Sequence, residues 1–191
     1  MKKVILILAL LVSSSLFSQL VTTNPDTVCF QSTTLSTYTV QNIGSGTYTW
    51  TIPGSATLVS GQGTNSIQVD WSATPAGLIN NAISVTYTSG SGCQAQPVTL
   101  NVLIYQFTPT IAALGPFCES DPCVTLVGSP VGGTWSGTGV SGNQFCPDNV
   151  ANGTNAISNV TYTVTNGGCT FSTSTTVPVF GTPTLSPIQH N

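Results

Sequence analysis

Enzyme chemistry needs groups that exchange protons, coordinate a metal or attack an electrophile, and this 191-residue chain carries few of them. Its acids are Asp26, Asp70, Glu119, Asp121 and Asp148, its single imidazole is His190, and its cysteines are Cys29, Cys93, Cys118, Cys123, Cys146 and Cys169. Nucleophilic catalysis requires a base beside the nucleophile, and one histidine in a Pro-containing C-terminal tail does not supply it. Paired-carboxylate hydrolysis fails on placement, because strand alternation leaves Asp70 alone on an outer face. Gly137-Thr-Gly-Val-Ser-Gly142 satisfies G-x-G-x-x-G. No helical pattern follows it to hold a pyrophosphate, so a β-turn is expected there. With no nucleophile–base pair, the expectation is a protein that is not an enzyme.

One constellation points to a ligand. Asp121 stands two residues before Cys123 and Asp148 two after Cys146. A Cys123–Cys146 bridge would therefore gather Glu119, Asp121 and Asp148 into a candidate calcium site, since carboxylates and nearby carbonyls are the ligands a hard cation takes. The three lack the regular spacing of a calcium loop, and a solvated acidic loop is the expectation against which calcium is set. No other cofactor is expected.

The composition around these residues excludes whole classes of partner. Both basic residues, Lys2 and Lys3, precede an apolar run from Val4 to Val12 and a Ser-rich stretch ending at Ser18. That is the layout of a signal peptide over residues 1–18, too short in its apolar part to span a bilayer. Cleavage after Ser18 leaves a chain starting at Gln19 with five acids and no lysine or arginine. Such a chain cannot neutralise phosphates, so nucleic acid is excluded, and attraction to anionic lipid fails for the same reason. Export also sets the redox context. Six cysteines behind a signal peptide read as disulfides rather than zinc ligands, because only Cys118 and Cys123 are closely spaced.

The elements that must position these residues come in two copies. Asn81-Ala-Ile-Ser-Val-Thr-Tyr-Thr88 returns as Asn155-Ala-Ile-Ser-Asn-Val-Thr-Tyr-Thr163, and each copy is followed by a Gly-Cys, at Cys93 and Cys169. Upstream, Gly46-Thr-Tyr-Thr-Trp50 matches Gly132-Gly-Thr-Trp135, and Val28-Cys29 matches Phe117-Cys118. The offset falls from 89 at the first cysteine to 85 at the tryptophan and 76 at the last cysteine. The second copy is therefore shorter. Within each copy the period is two: Tyr48, Trp50 and Ile52 share a face, as do Ile67, Val69 and Trp71, then Ile83, Val85 and Tyr87, then Val98, Leu100, Val102 and Ile104. In the second copy Val160, Tyr162 and Val164 keep phase, while Ile157 falls out of it, which predicts a β-bulge near Ser158 and Asn159. Gly/Ser/Asn/Pro clusters separate the runs. The pattern predicts an all-β chain of two antiparallel β-sandwich modules, residues 19–105 and 106–181, followed by a tail at 182–191.

Equivalence of the copies implies Cys29 with Cys93, Cys118 with Cys169, and Cys123 with Cys146 as an extra staple. The tryptophans obey the inward alternation and are expected in the core, which argues against a sugar platform. The tail, Gly181-Thr-Pro-Thr-Leu-Ser-Pro-Ile188, repeats the Phe107-Thr-Pro-Thr-Ile111 that opens the second module, as the first strand of a third module in a longer array would.

The residues Tyr48-Thr-Trp-Thr-Ile-Pro-Gly54, Gly61-Gln-Gly-Thr-Asn-Ser-Ile-Gln-Val-Asp-Trp71 and Gly92-Cys93 resemble the PKD-like domain found in tandem in Bacteroidota surface proteins. The second module, with Gly133-Thr-Trp-Ser-Gly-Thr-Gly139 and Gly168-Cys169, resembles the Ig-like or PKD-like repeats found beside it. The resemblance implies β-sandwich modules that act as spacers, stalks or adhesive units in cell-surface and secreted proteins, often adhesins or carriers of a type IX secretion signal; the signal peptide implies export to periplasm, cell surface or medium. Tyr87 stands six residues before Cys93 rather than the two of a true immunoglobulin domain. The function expected is a non-enzymatic spacer or adhesion module whose partners are surface proteins or glycans. The alternative is a carbohydrate-binding accessory module of a secreted polysaccharide-degrading system. Trypsin should leave the reduced, denatured mature chain intact; the check is its mass before and after overnight digestion.

Overall fold

A computed structural model describes residues 25–183 and 185–188 of the chain. The signal peptide expected at 1–18 and His190 lie outside the described residues. These residues form two compact units that divide between Gln106 and Phe107. Among them no helix is long and apolar enough to cross a membrane.

The first unit holds β1 (Asp26–Cys29), β2 (Ser36–Thr39), β3 (Thr47–Thr51), β4 (Thr57–Ser60), β5 (Ser66–Asp70), β6 (Gly77–Thr88) and β7 (Val98–Tyr105). They make a four-stranded sheet, β1-β7-β6-β3, and a three-stranded one, β2-β5-β4. Inward residues follow the period of two: Tyr48, Trp50, Ile67, Val69, Trp71, Ile83, Val85, Val102 and Ile104 are buried together in one core. Between the sheets the Tyr38 hydroxyl donates to Asp26 Oδ2 at 2.8 Å. Burial, reinforced by the Asp26 charge, pushes the Tyr38 phenol well above its ordinary range.

The second unit holds β8 (Thr110–Ile111), β9 (Phe117–Cys118), β10 (Val124–Thr125), β11 (Gly128–Ser129), β12 (Thr134–Ser136), β13 (Val140–Ser141), β14 (Gln144–Phe145), a 3₁₀ turn (Pro147–Asn149), β15 (Ala156–Asn166) and β16 (Cys169–Phe180). Its main sheet is β12-β15-β16-β9, with smaller sheets β10-β14-β13 and β11-β8. The core gathers Leu126, Phe145, Val160, Val177 and Val179. Both units are β-sandwiches, antiparallel except at one edge of each main sheet, where β1 runs parallel to β7 and β9 parallel to β16.

Three expectations about register change. The β15–β16 ladder runs unbroken from Ala156 opposite Val179 to Asn166 opposite Cys169, so the bulge expected near Ser158 and Asn159 is absent from it. Ser158 instead takes the inward place, 1% exposed, and its hydroxyl donates to the Thr138 carbonyl, which satisfies the buried oxygen and turns Ile157 outward. Register shifts fall in the first copy instead, one between Leu58 and Ser60 and one between Ile79 and Ile83, where Asn81 adopts φ 49° and donates its N–H to Asn101 Oδ1. Lastly, Trp50 pairs with Val85 and Tyr48 with Tyr87, while Trp135 pairs with Tyr162. Since Tyr87 and Tyr162 are equivalent, Trp135 stands in the place of Tyr48, two residues from that of Trp50.

Trp71, 1% exposed and edge-on to Tyr38, anchors the first core. Trp71→Ala should destabilise that unit by about 3–5 kcal/mol, whereas Ile157→Ala, at a position 72% exposed, should cost the second unit under about 0.5 kcal/mol; urea unfolding of both variants checks the contrast.

Candidate functional site

The three carboxylates do not form one ligand set. The Glu119 side chain accepts the backbone N–H groups of Gly153, at 3.1 and 3.2 Å to its two oxygens, and of Thr182 at 3.0 Å. Those bonds, that from Thr182 foremost, hold its carboxyl below the ordinary glutamate range. Asp121 Oδ2 accepts the N–H of Cys118 at 2.7 Å, closing the turn after β9. Asp148 sits in the 3₁₀ turn, where one carboxylate oxygen lies within 4.8 Å of the sulfurs of Cys123 and Cys146. Those sulfurs are joined in a disulfide and have no thiolate to give a metal. Glu119 and Asp121 are thus committed to loop backbone, and the spacing that drew the acids together in sequence serves loop closure.

The cysteines follow the topology rather than the repeat. Cys123 and Cys146 are bonded, Cys29 and Cys169 are each disulfide-bonded, and Cys93 and Cys118 are exposed free thiols. Neither Cys29–Cys93 nor Cys118–Cys169 exists. In the first unit Cys29 lies opposite Tyr105, while Cys93 lies in the turn before Val98 at the other end of β7. The 8-residue strand between them spans roughly 24 Å at ~3.4 Å per residue. In the second unit Cys118 pairs with Phe180 and Cys169 begins the same strand, so its full 12 residues separate them. A disulfide needs Cα atoms within about 7 Å. The cysteines are equivalent between copies and remote within each copy.

An open cleft lies in the second unit beside β12. About 530 Å³ in volume, it is lined by Leu126, Val127, Val131, Trp135, Asn143 and Tyr162, with glycine backbone at 128, 132, 133 and 142. Its floor is rigid. The buried Tyr162 donates its hydroxyl to the Pro130 carbonyl at 2.6 Å and accepts the Gly133 N–H at 2.9 Å. Gly128 and Gly133 press on the ring so closely that a Cβ on either would come within 2.5 Å of it. Trp135 packs on Tyr162 with centroids 4.3 Å apart at 33°. Unlike the buried tryptophans of the first unit, it is only partly covered.

Comparison with known proteins bears on the first unit. Its sequence matches the PKD-like domain over residues 18–102. No curated protein matches the chain. Among solved structures it is similar to a SusE-like surface located polysaccharide binding protein from the heparin utilisation locus of Bacteroides thetaiotaomicron, at 13% identity and TM-score 0.33, over 82% of this chain. The chain spans 32% of that protein's length. It is also similar to the titin domains z1z2 solved with telethonin, at 15% identity and TM-score 0.32, over 83% of this chain and 92% of that one.

Within the first unit the equivalent position is sealed. Tyr48 is 4% exposed; it bridges to Gly63 through backbone hydrogen bonds in both directions, and its hydroxyl accepts the Ile43 N–H. Trp50 is tied through Nε1 to the Thr64 carbonyl, and its backbone is clamped by the Gln62 amide. That cover belongs to the turn between β4 and β5, strands of four and five residues, whereas their counterparts in the second unit, β13 and β14, have two each. The sequence carried the signal as the shrinking offset after the tryptophan. Val127, Val131 and Asn143 had no pattern to single them out.

Because the folded-state pKa of Glu119 is lowered, the stability it contributes is complete above the ordinary glutamate pKa and is lost as pH falls through the lowered value. Glu119→Gln should flatten the acid limb of the second unit's stability profile and leave that of the first unit unchanged; thermal melts from pH 7 to pH 2 read both.

Proposed function

We propose that this chain is an exported, non-enzymatic module that serves at the cell surface as a spacer or adhesion unit, with surface proteins or glycans as partners. The observation that carries the reading is the chemistry of the outer strand faces. Thr49, Thr51, Thr161, Ser172, Ser174 and Thr176 point away from the cores, while residues 19–191 contain no lysine or arginine. Such a surface works through neutral hydrogen bonds and shape rather than electrostatic steering. The match to the PKD-like domain supports the same role, and the disulfides support an oxidising compartment. Cleavage after Ser18, the two modules at 19–105 and 106–181, and a Bacteroidota source belong to this proposal.

The test is antibody labelling of intact producing cells combined with N-terminal sequencing of the labelled protein. Surface label on a chain that begins at Gln19 is the expected result. A cytosolic chain that retains residues 1–18 would overturn the proposal.

A further inference from the structure

We infer that the cleft beside Trp135 is a binding site for an uncharged polysaccharide. A spacer needs no such site, and its absence would leave the spacer role intact.

The first support is the part of Trp135, half-buried against the core, that stays uncovered where the corresponding residue of the first unit is sealed. In the first unit the aromatic residue at this register is sealed by the β4–β5 turn; in the second the covering strands are reduced to two residues each, and Trp135 is left lining an open cleft. Val127 and Val131 stand beside it at 62% and 89% exposed. Together with the indole they give the cleft a small apolar surface bordered by polar groups. Its volume falls in the ordinary range for small-molecule sites.

The second support is preorganisation. Trp135 is backed by Tyr162, which two hydrogen bonds and two apposed glycines hold in one position. Little conformational freedom remains to be lost when a ligand stacks there, which favours binding by a modest contact area.

The third support selects the ligand. None of the residues lining the cleft is charged. A phosphate, sulfate or carboxylate would lose its hydration with no cation to receive it. What the cleft presents is an indole, two valines, the exposed amide of Asn143, the exposed hydroxyl of Thr134 and glycine backbone. A pyranose ring has the complementary construction, an apolar C–H face bounded by hydroxyl groups that donate and accept. Aromatic residues with one apolar and one wet side suit such amphipathic ligands.

Affinity electrophoresis of the mature chain through gels containing laminarin, xylan, galactomannan or amylose tests the inference, with polygalacturonate as the anionic comparison. At least one neutral polysaccharide should retard the protein and polygalacturonate should not. Trp135→Ala should weaken the retarding interaction by about tenfold or more. Asn143→Ala, at an exposed side chain whose backbone carbonyl still receives the Leu126 N–H, should weaken it by about threefold with an unchanged melting temperature. The inference fails if no neutral polysaccharide retards the chain, if polygalacturonate retards it equally, or if the folded Asn143→Ala and Trp135→Ala proteins both migrate as wild type.

Discussion

Each unit is organised by the backbone ladder of its last hairpin. The β15–β16 pairing joins every residue from Ala156 to Asn166 with a partner between Val179 and Cys169, and β6 with β7 forms the same frame in the first unit. Because successive side chains alternate across a strand, one continuous register commits every second residue of each hairpin strand to the same face. Val160, Tyr162, Val164, Val177 and Val179 are buried as a consequence. The short strands β9 and β12 pair with the two edges of that frame.

That ladder also decides the fate of polar and sulfur groups. By holding Ser158 inward it demanded a partner for a buried hydroxyl, and the Thr138 carbonyl provides one, so the ladder stays regular and Ile157 bears the exposure. By separating its two ends it keeps Cys118 from Cys169, and β7 does the same for Cys29 and Cys93. The Cys123–Cys146 bridge lies outside the hairpin and closes a loop of 23 residues. A crosslink of that length stabilises by about 3 kcal/mol in the chain-entropy account, which matters for a unit whose smaller strands contribute only two residues each.

The same frame explains why one repeat yields two different surfaces. Tyr87 and Tyr162 occupy equivalent places, and each accepts a glycine N–H through its hydroxyl, from Gly46 and Gly133. Around Tyr87 the partner Tyr48 is enclosed by the Gly61–Thr64 turn. Around Tyr162 the partner is Trp135, and the shortened connection leaves it lining a cleft. Divergence between the copies is concentrated where the second sheet was trimmed, and the conserved geometry of the tyrosine gives the opened position a rigid backing.

Much of the fold was legible in the sequence because alternation is local: a strand whose every second residue is apolar can bury only one face, so Ile67, Val69, Trp71, Val160 and Val164 announce their places without knowledge of their neighbours. The want of lysine and arginine after residue 18 and of a nucleophile–base pair is equally a property of composition. The cysteine partners, the position of the bulge and the exposure of Trp135 depend on which residues from distant segments come to lie opposite one another. Sequence likeness identified corresponding cysteines, but a bond requires proximity, and corresponding ends of two hairpins are not near ends of one. Alternation placed Trp135 on an inward face, but only the tertiary structure decided what stands over it, because cover is supplied by other strands and their lengths.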